Sequence, residues 1–343
     1  MIYRSKAPLR IGFAGGGTDV SPYSDDFGGA ILNATINLYA YASIELIDEP
    51  KVILETTDRG EHISYDWSET LPIDGFLDLH KGVHNRLVQM GHLKKQGYKL
   101  TTFVEAPAGS GLGTSSTLMI AILGVYQEWL SLPFGEYDTA HLAYEIERVD
   151  LAMAGGKQDQ YSATFGGFNF MEFYKDDKVI VNPLRVKDKY TNELAHNLLL
   201  FYTHTSRDSA AIIEKQRANV TSSNSSAIEA MHQLKKQAVM MKEALLIGEM
   251  DRIGEILHFG WENKKRMADG ISNPMIDDLY NTAIASGASG GKISGAGGGG
   301  FMIFYCPANT RHAVIKALEE KGAKNQLYQY SKEGLSTWKV EIR

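Results

Sequence analysis

The chain has 343 residues, 43% of them hydrophobic, and its 35 lysines and arginines stand against 41 aspartates and glutamates for a formal net charge of −6. This length exceeds what one compact core usually fills, so two domains are expected, and the lack of a basic excess or a dense lysine/arginine run argues against nucleic acid or an anionic membrane as a partner. A single cysteine, Cys306, excludes an internal disulfide and a cysteine-based zinc site; the first residues lack the apolar core of a signal peptide, and the longest apolar run, residues 118–125, falls far short of the roughly 20 that span a bilayer, so a cytoplasmic protein is expected.

A glycine-rich stretch, Gly15, Gly16, Gly17, Thr18 and Asp19, comes first along the chain. Residues 30–36, 40–46 and 52–56 are β-rich; the last two alternate as half-buried strands do and predict an antiparallel sheet. Residues 75–96 place Leu79, Val83, Leu87 and Met90 on one helical face. His80 and His84 on that helix lack the central glutamate of H-E-x-x-H, which argues against a metal site.

A strand at 101–105 then runs through Pro107, Gly109, Ser110, Gly111, Leu112 and Gly113 into a helix at 116–130. Strand, glycine loop and helix in this order are the grammar of a phosphate-binding loop. Glycines let backbone N–H groups approach an anion without a Cβ between them, the helix N-terminus adds free donors and a positive dipole end, and the hydroxyls of Thr114, Ser115 and Ser116 can reach phosphate or Mg²⁺. Read alone, the segment also fits a turn with a helix cap. A Walker A loop is excluded, because no lysine follows Gly113 before Lys157.

A helix at 136–150, a flexible stretch at 152–156 and a strand at 165–173 complete the first half. Polar residues near 180–190 predict the junction, dividing the chain into 1–185 and 186–343. The second half reads as a strand at 198–203, helices at 209–219, 226–247, 250–267 and 273–285, a strand at 301–305, a helix at 311–321 and a closing strand near 336–342, which makes the chain α+β. Gly295 to Gly300 satisfies G-x-G-x-x-G, but a strand follows where a dinucleotide site needs a helix. Asp26-Phe27-Gly28 spells a protein-kinase motif without the partner motifs that would give it meaning.

The P-x-G-x-G-L-G-[ST]-S pattern of Pro107 to Ser115 resembles the second motif of the GHMP kinases, the family of galactokinase, homoserine kinase, mevalonate kinase and phosphomevalonate kinase. Ala7 to Asp19 is similar to the first motif and Lys292 to Phe301 to the third, in the family's order, so the resemblance spans nearly the whole chain. It implies a two-domain α+β fold, with a ribosomal protein S5 domain 2-like N-terminal domain and a ferredoxin-like C-terminal domain, and an enzyme using ATP and Mg²⁺. The wording of Arg10 to Tyr23, Gly156 to Tyr161 and Gly290 to Phe301 is most like the family's kinases of seven-carbon sugar phosphates, and L-fucokinase domains share much of it. Galactokinases carry a Glu-His pair where Gly16 and Gly17 stand, so a wider pocket and a longer sugar are implied. The expected reaction is phosphorylation of the anomeric hydroxyl of a heptose 7-phosphate; a free-sugar 1-kinase and a non-catalytic sugar sensor are the alternatives.

Residue by residue, the resemblance makes Asp159 the base, with Lys157 beside it and Arg10 near the transferred phosphoryl group. Ser115 and Glu147, twelve residues before Asp159, are implied as Mg²⁺ ligands; by residue type alone, Glu147 would be a solvated helix acid, Asp159 a turn or cap residue and Arg10 a surface strand arginine. Gly16, Gly17, Thr18 and Asp19 are implied for the sugar, and the region of Asp66 and Trp67 for adenine. A dianionic phosphate on an acidic protein needs local donors, and Arg207, where a strand gives way to a helix N-terminus, is the candidate.

Overall fold

The computed structural model describes residues 1–205 and 209–341. Its first half contains β1 (Ile2–Ala14), α1 (Tyr23–Phe27), β2 (Gly29–Ile47), β3 (Lys51–Thr56), β4 (Glu61–Asp66), α2 (Asp78–Gln89), β5 (Gly97–Val104), α3 (Thr114–Leu130), α4 (Glu136–Glu145), α5 (Gln158–Phe165), β6 (Phe168–Phe173) and β7 (Val179–Pro183). The second half contains α6 (Asp188–Asn197), β8 (Leu198–Tyr202), α7 (Ser209–Thr221), α8 (Ser225–Ile247), α9 (Arg252–Lys265), α10 (Pro274–Ala285), β9 (Gly290–Ile293), β10 (Phe301–Tyr305), α11 (Arg311–Glu320), β11 (Lys324–Asn325) and β12 (Ser336–Val340). Among the described residues no helix is long and apolar enough to cross a membrane.

The two β-rich runs expected at 30–36 and 40–46 are one strand, β2. Its register against β1 shifts between Pro8↔Tyr39 and Arg10↔Thr35, so residues 36–38 bulge, and Asn37, the polar interruption that split the run, is bound by the backbone of Gln329. The first sheet runs β12-β1-β2-β5-β3-β4, with β6 and β7 added beside the start of β2; the β3–β5 pair is parallel. Leu118 to Tyr126 of α3 are buried throughout, which is why the run lacks a polar face: it is wedged between this sheet and its neighbouring helices.

The second sheet runs β11-β8-β10-β9, all antiparallel. Numbered along the chain this is the order 4-1-3-2 of a ferredoxin-like β-α-β-β-α-β unit, as the sequence implied. The closing strand β12 crosses back to pair with β1, Ile2 opposite Val340. Residues 7–14 of β1 are buried on both faces, and Leu9, Ile11 and Phe13 share a core with Leu200, Met241, Leu257 and Ile303. β1 is therefore the common wall of the two halves.

The loops after β5 and after β9 meet at this wall. Phe301 N donates to Ser110 O at 2.9 Å and Ser294 Oγ to Gly111 O at 2.9 Å. A Cβ on Gly300 (φ +88°) would lie 2.3 Å from Ser110 O, whereas one on Gly60 (φ +64°) would meet nothing within 4 Å. Gly60→Ala should therefore cost about 1 kcal/mol, the left-handed backbone alone, and Gly300→Ala more than about 2 kcal/mol, because a carbonyl must also move. Urea denaturation measures both, and equal shifts would show that the loops are not pressed together.

Candidate active site

The loop after β5 is shaped by three left-handed glycines, Gly109, Gly111 and Gly113, at φ +70°, +84° and +79°. Leu112 between them is fully buried and anchors the loop, and its carbonyl accepts from Arg10 N at 3.2 Å. Beyond it α3 begins at Thr114, two residues earlier than expected, so its first-turn N–H groups, which have no helical partner, face the loop's mouth.

Arg10 is buried and holds two groups at once: Nε donates to Asp159 Oδ1 at 2.7 Å and Nη1 to Gly111 O at 2.6 Å. Asp159 sits in the first turn of α5, a helix that was not foreseen, with its side chain about one-fifth exposed. A Cβ on Gly113 would come 3.0 Å from Asp159 Cγ, so the third loop glycine leaves room for this carboxylate. Lys157 does not accompany Asp159 as expected. Its buried ammonium turns away to Asp177 Oδ1 at 2.8 Å, an ion pair whose alignment falls short of a hydrogen bond, and to Asp25 Oδ1 at 3.5 Å. Arg10 is the cation beside the carboxylate instead.

What Lys157 supplies is its backbone. Asp19 Oδ2 accepts from the N–H groups of Lys157 at 2.9 Å and Gln158 at 3.0 Å, which orient a fully buried carboxylate. Only glycine fits at 156, where a Cβ would stand 2.0 Å from that oxygen. Burial pushes the Asp19 carboxyl above its ordinary range, the two N–H groups oppose this, and Oδ1 has no partner among the described residues. Gly17 lines the same cavity. Thr18, expected at the sugar, does not face it: its hydroxyl is engaged by Gly15 O at 2.8 Å, Ala30 O at 3.0 Å and Ala30 N at 3.1 Å, closing the turn.

Glu147 is fully buried rather than solvated, because a five-residue π turn (Ile146–Asp150) widens the end of α4 and swings it inward. Ser115 Oγ donates to its Oε1 at 3.2 Å, and Gln160 Nε2 donates to Oε2. A carboxylate and a hydroxyl are hard oxygen donors suited to Mg²⁺. Among the described residues no group of three or more His, Cys, Asp or Glu could form a cage, so phosphate and water oxygens would complete any ion's shell.

These groups line one cavity of about 380 Å³, which includes Arg10, Asp19, Ser115, Glu147 and Asp159. A second, of about 340 Å³, shares Gly109, Thr114, Ser115 and Met153 with it and is walled by Leu77, Leu79, Val104, Ala106 and Leu118. An apolar chamber opening onto a phosphate loop suits an adenine ring. Trp67 is not part of it: the ring packs edge-on to His84 at 6.1 Å and borders a separate cleft with Asn85 and Leu93. Lys264 and Gln216 line the first cavity too; they lie in α9 and α7, whose sequences carry no motif. Arg207 lies outside the described residues.

Residues 78–167 match the GHMP kinases N terminal domain and residues 241–324 the GHMP kinases C terminal domain. A D-glycero-alpha-D-manno-heptose 7-phosphate kinase from Campylobacter jejuni is 42% identical over 337 residues, covering 98% of this chain and 99% of the relative. An L-fucokinase/L-fucose-1-P guanylyltransferase from Bacteroides fragilis is 26% identical over 92% of this chain and 35% of its own length. Among solved structures, a D-glycero-D-manno-heptose 1-phosphate kinase from Bacteroides thetaiotaomicron has a TM-score of 0.85 at 44% identity over 99% of this chain and 100% of that one. A Lactococcus lactis galactokinase complexed with galactose shares the fold, with a TM-score of 0.78 at 19% identity over 98% and 95%.

The apolar chamber makes a direct prediction. Trp67→Phe should leave ATP affinity within about twofold, whereas Ala106→Phe, which fills the chamber, should weaken it more than about tenfold, a difference of 1.4 kcal/mol or more. Titration with a fluorescent ATP analogue checks both; the reverse order would return adenine to Trp67.

Proposed function

The chain belongs to the GHMP kinases, and from that premise we propose that it transfers the γ-phosphoryl group of ATP to the anomeric hydroxyl of D-glycero-D-manno-heptose 7-phosphate, giving the 1,7-bisphosphate and ADP. The observation that carries this reading is the Arg10–Asp159 pair at 2.7 Å, set between the phosphate loop and the buried Asp19. It is supported by the near-complete alignment with the heptose 7-phosphate kinase.

In this reading ATP lies with its adenine in the apolar chamber and its phosphates over Gly109 to Ser116, where the N-terminus of α3 supplies N–H donors. Asp19 accepts hydrogen bonds from sugar hydroxyls and so orients the acceptor. Asp159 takes the proton of the anomeric hydroxyl as its oxygen bonds to the γ-phosphorus and the bond to ADP breaks. Arg10 fixes Asp159 and lays positive charge beside the group in transit. Mg²⁺, held by Ser115 and Glu147, would neutralise the phosphates. Residues 1–185 and 186–343 serve as the two domains, with β12 lent back to the first, and an ATP-consuming sugar kinase fits a cytoplasmic site.

Coupled measurement of ADP release across heptose 7-phosphate, mannose, L-fucose and galactose tests the substrate; turnover of a free sugar in preference to the heptose phosphate would overturn the assignment. Asp159→Asn should lower kcat by roughly 10²–10⁴ with both KM values within a few-fold, and full activity in that variant would remove Asp159 from the mechanism. Ser115→Ala and Glu147→Gln should each raise the Mg²⁺ concentration for half-maximal rate, since each removes an oxygen from the ion's shell. An unchanged Mg²⁺ titration would move the ion elsewhere.

A further inference from the structure

Lys264 is buried to 2% exposure near the end of α9, yet its side chain lines the larger cavity. Its ammonium lies against Gly16, 3.6 Å from where a Cβ there would stand. Charged groups from three other segments surround it: Asp19 from the loop after β1, Arg10 from β1 and Lys292 from β9. Arg10 is committed to Asp159, and Lys292 Nζ donates to Gly12 O at 2.8 Å. The Lys264 ammonium makes no hydrogen bond or ion pair among the described residues, although the backbone carbonyl accepts from Met267 N.

Two more polar groups on this cavity's lining are incomplete. Asp19 Oδ1 and Gln216 Nε2 are buried and without partners. Neither residue, nor Lys264, borders the apolar chamber. An ammonium buried this deeply without a hydrogen bond works against folding, since the nearby Asp19 charge offsets only part of its desolvation. Burial pushes it down to about 8. The ammonium is thus open to a ligand in the cavity that Lys264 lines.

The three groups together select that ligand's chemistry. Lys264 and Gln216 donate, while Asp19 Oδ1 accepts. A phosphate, which only accepts at neutral pH, would suit the two donors but set its charge against the Asp19 carboxylate. A hydroxyl both donates and accepts. We propose that Lys264 is a specificity-determining residue that, with Asp19 Oδ1 and Gln216 Nε2, grips neighbouring hydroxyls on the ring of the acceptor sugar. This rests on the sugar-kinase reading above but does not depend on which sugar is used.

Lys264→Met keeps length and loses charge. Calorimetric titration without ATP should show the sugar bound about ten- to a hundredfold more weakly, the worth of one charge-assisted hydrogen bond, with ATP affinity unchanged. Folding stability should hold or rise, because a buried charge that Asp19 offsets only in part is gone. The pH dependence gives a second sign. In the wild type the burden on folding is full below pH 8, and as pH climbs from about 8 towards the ordinary 10.5 the folded protein sheds the proton first, so stability rises with pH; Lys264→Met should lose that rise. A less stable Lys264→Met that binds sugar normally would make the residue structural and overturn the proposal. Weakening confined to phosphorylated sugars, with free mannose or L-fucose bound as before, would make it a phosphate site and overturn it equally. Should the wild type bind another sugar of the panel but not heptose 7-phosphate, the heptose reading falls and Lys264 is judged on that sugar; should it bind none, both fall.

Discussion

Everything in the site hangs on Arg10. One guanidinium joins the carboxylate of α5 to a carbonyl of the phosphate loop, while its own backbone nitrogen reaches the neighbouring loop carbonyl. Three segments far apart in sequence are thus fixed relative to one another within hydrogen-bond tolerance. A rigid fork of donors does this where an ammonium could not, because two acceptors in different directions need two fixed N–H vectors. The strand that carries Arg10 is buried on both faces, so the guanidinium cannot drift, and the bulge in β2 opposite it breaks the pairing register just where the side chain must leave the sheet.

The glycine loops gain a different meaning in this frame. Gly295 lines the cavity and is also a place where two backbones touch: a Cβ there would lie 2.6 Å from Gly111 Cα. The loop after β9 braces the phosphate loop from behind, and the second domain thereby sets the shape of a site built mostly from the first. The resemblance of Gly295 to Gly300 to a dinucleotide motif reflects the same requirement, close backbone approach, here met between two loops of the protein.

Local features were legible in the sequence; those created by distant contacts were not. The glycine loop, α3, β8, α8 and β10 announce themselves by turn chemistry and unbroken periodicity. The edge strand β4 does not, because only Ile63 and Tyr65 of its six residues are apolar and the alternation is too short to stand out, and α5 hides behind two glycines that read as a loop. Glu147 and Asp159 came from the family resemblance, but the direction of Lys157 depends on Asp177 and Asp25, which no motif connects to it. Trp67 shows the same limit: an aromatic residue near a plausible place went to the core against His84. The apolar chamber is walled by residues in and beside β5, α2 and α3 that look like any other core positions.

The interior around Asp19 gathers three cations, Arg10, Lys264 and Lys292, and two carboxylates, Asp19 and Asp159, in a space that excludes most water. Such a cluster is a poor way to stabilise a fold, since desolvation offsets much of what the charges gain from one another. Its value lies in fields that are already oriented before the reaction begins. Lys292 shows the strain of the arrangement: burial, with Lys264 and Arg10 nearby, drives its ammonium well below the ordinary range. A carbonyl at 2.8 Å keeps it in place. Arg10 is paired with a carboxylate and Lys292 with a backbone oxygen, while Lys264, which has only the nearby charge of Asp19 and no hydrogen bond for its ammonium, lines the cavity beside Arg10. A chain that leaves an ammonium without a hydrogen bond where a ligand can reach it has placed its least stable contact at the point where binding restores the balance.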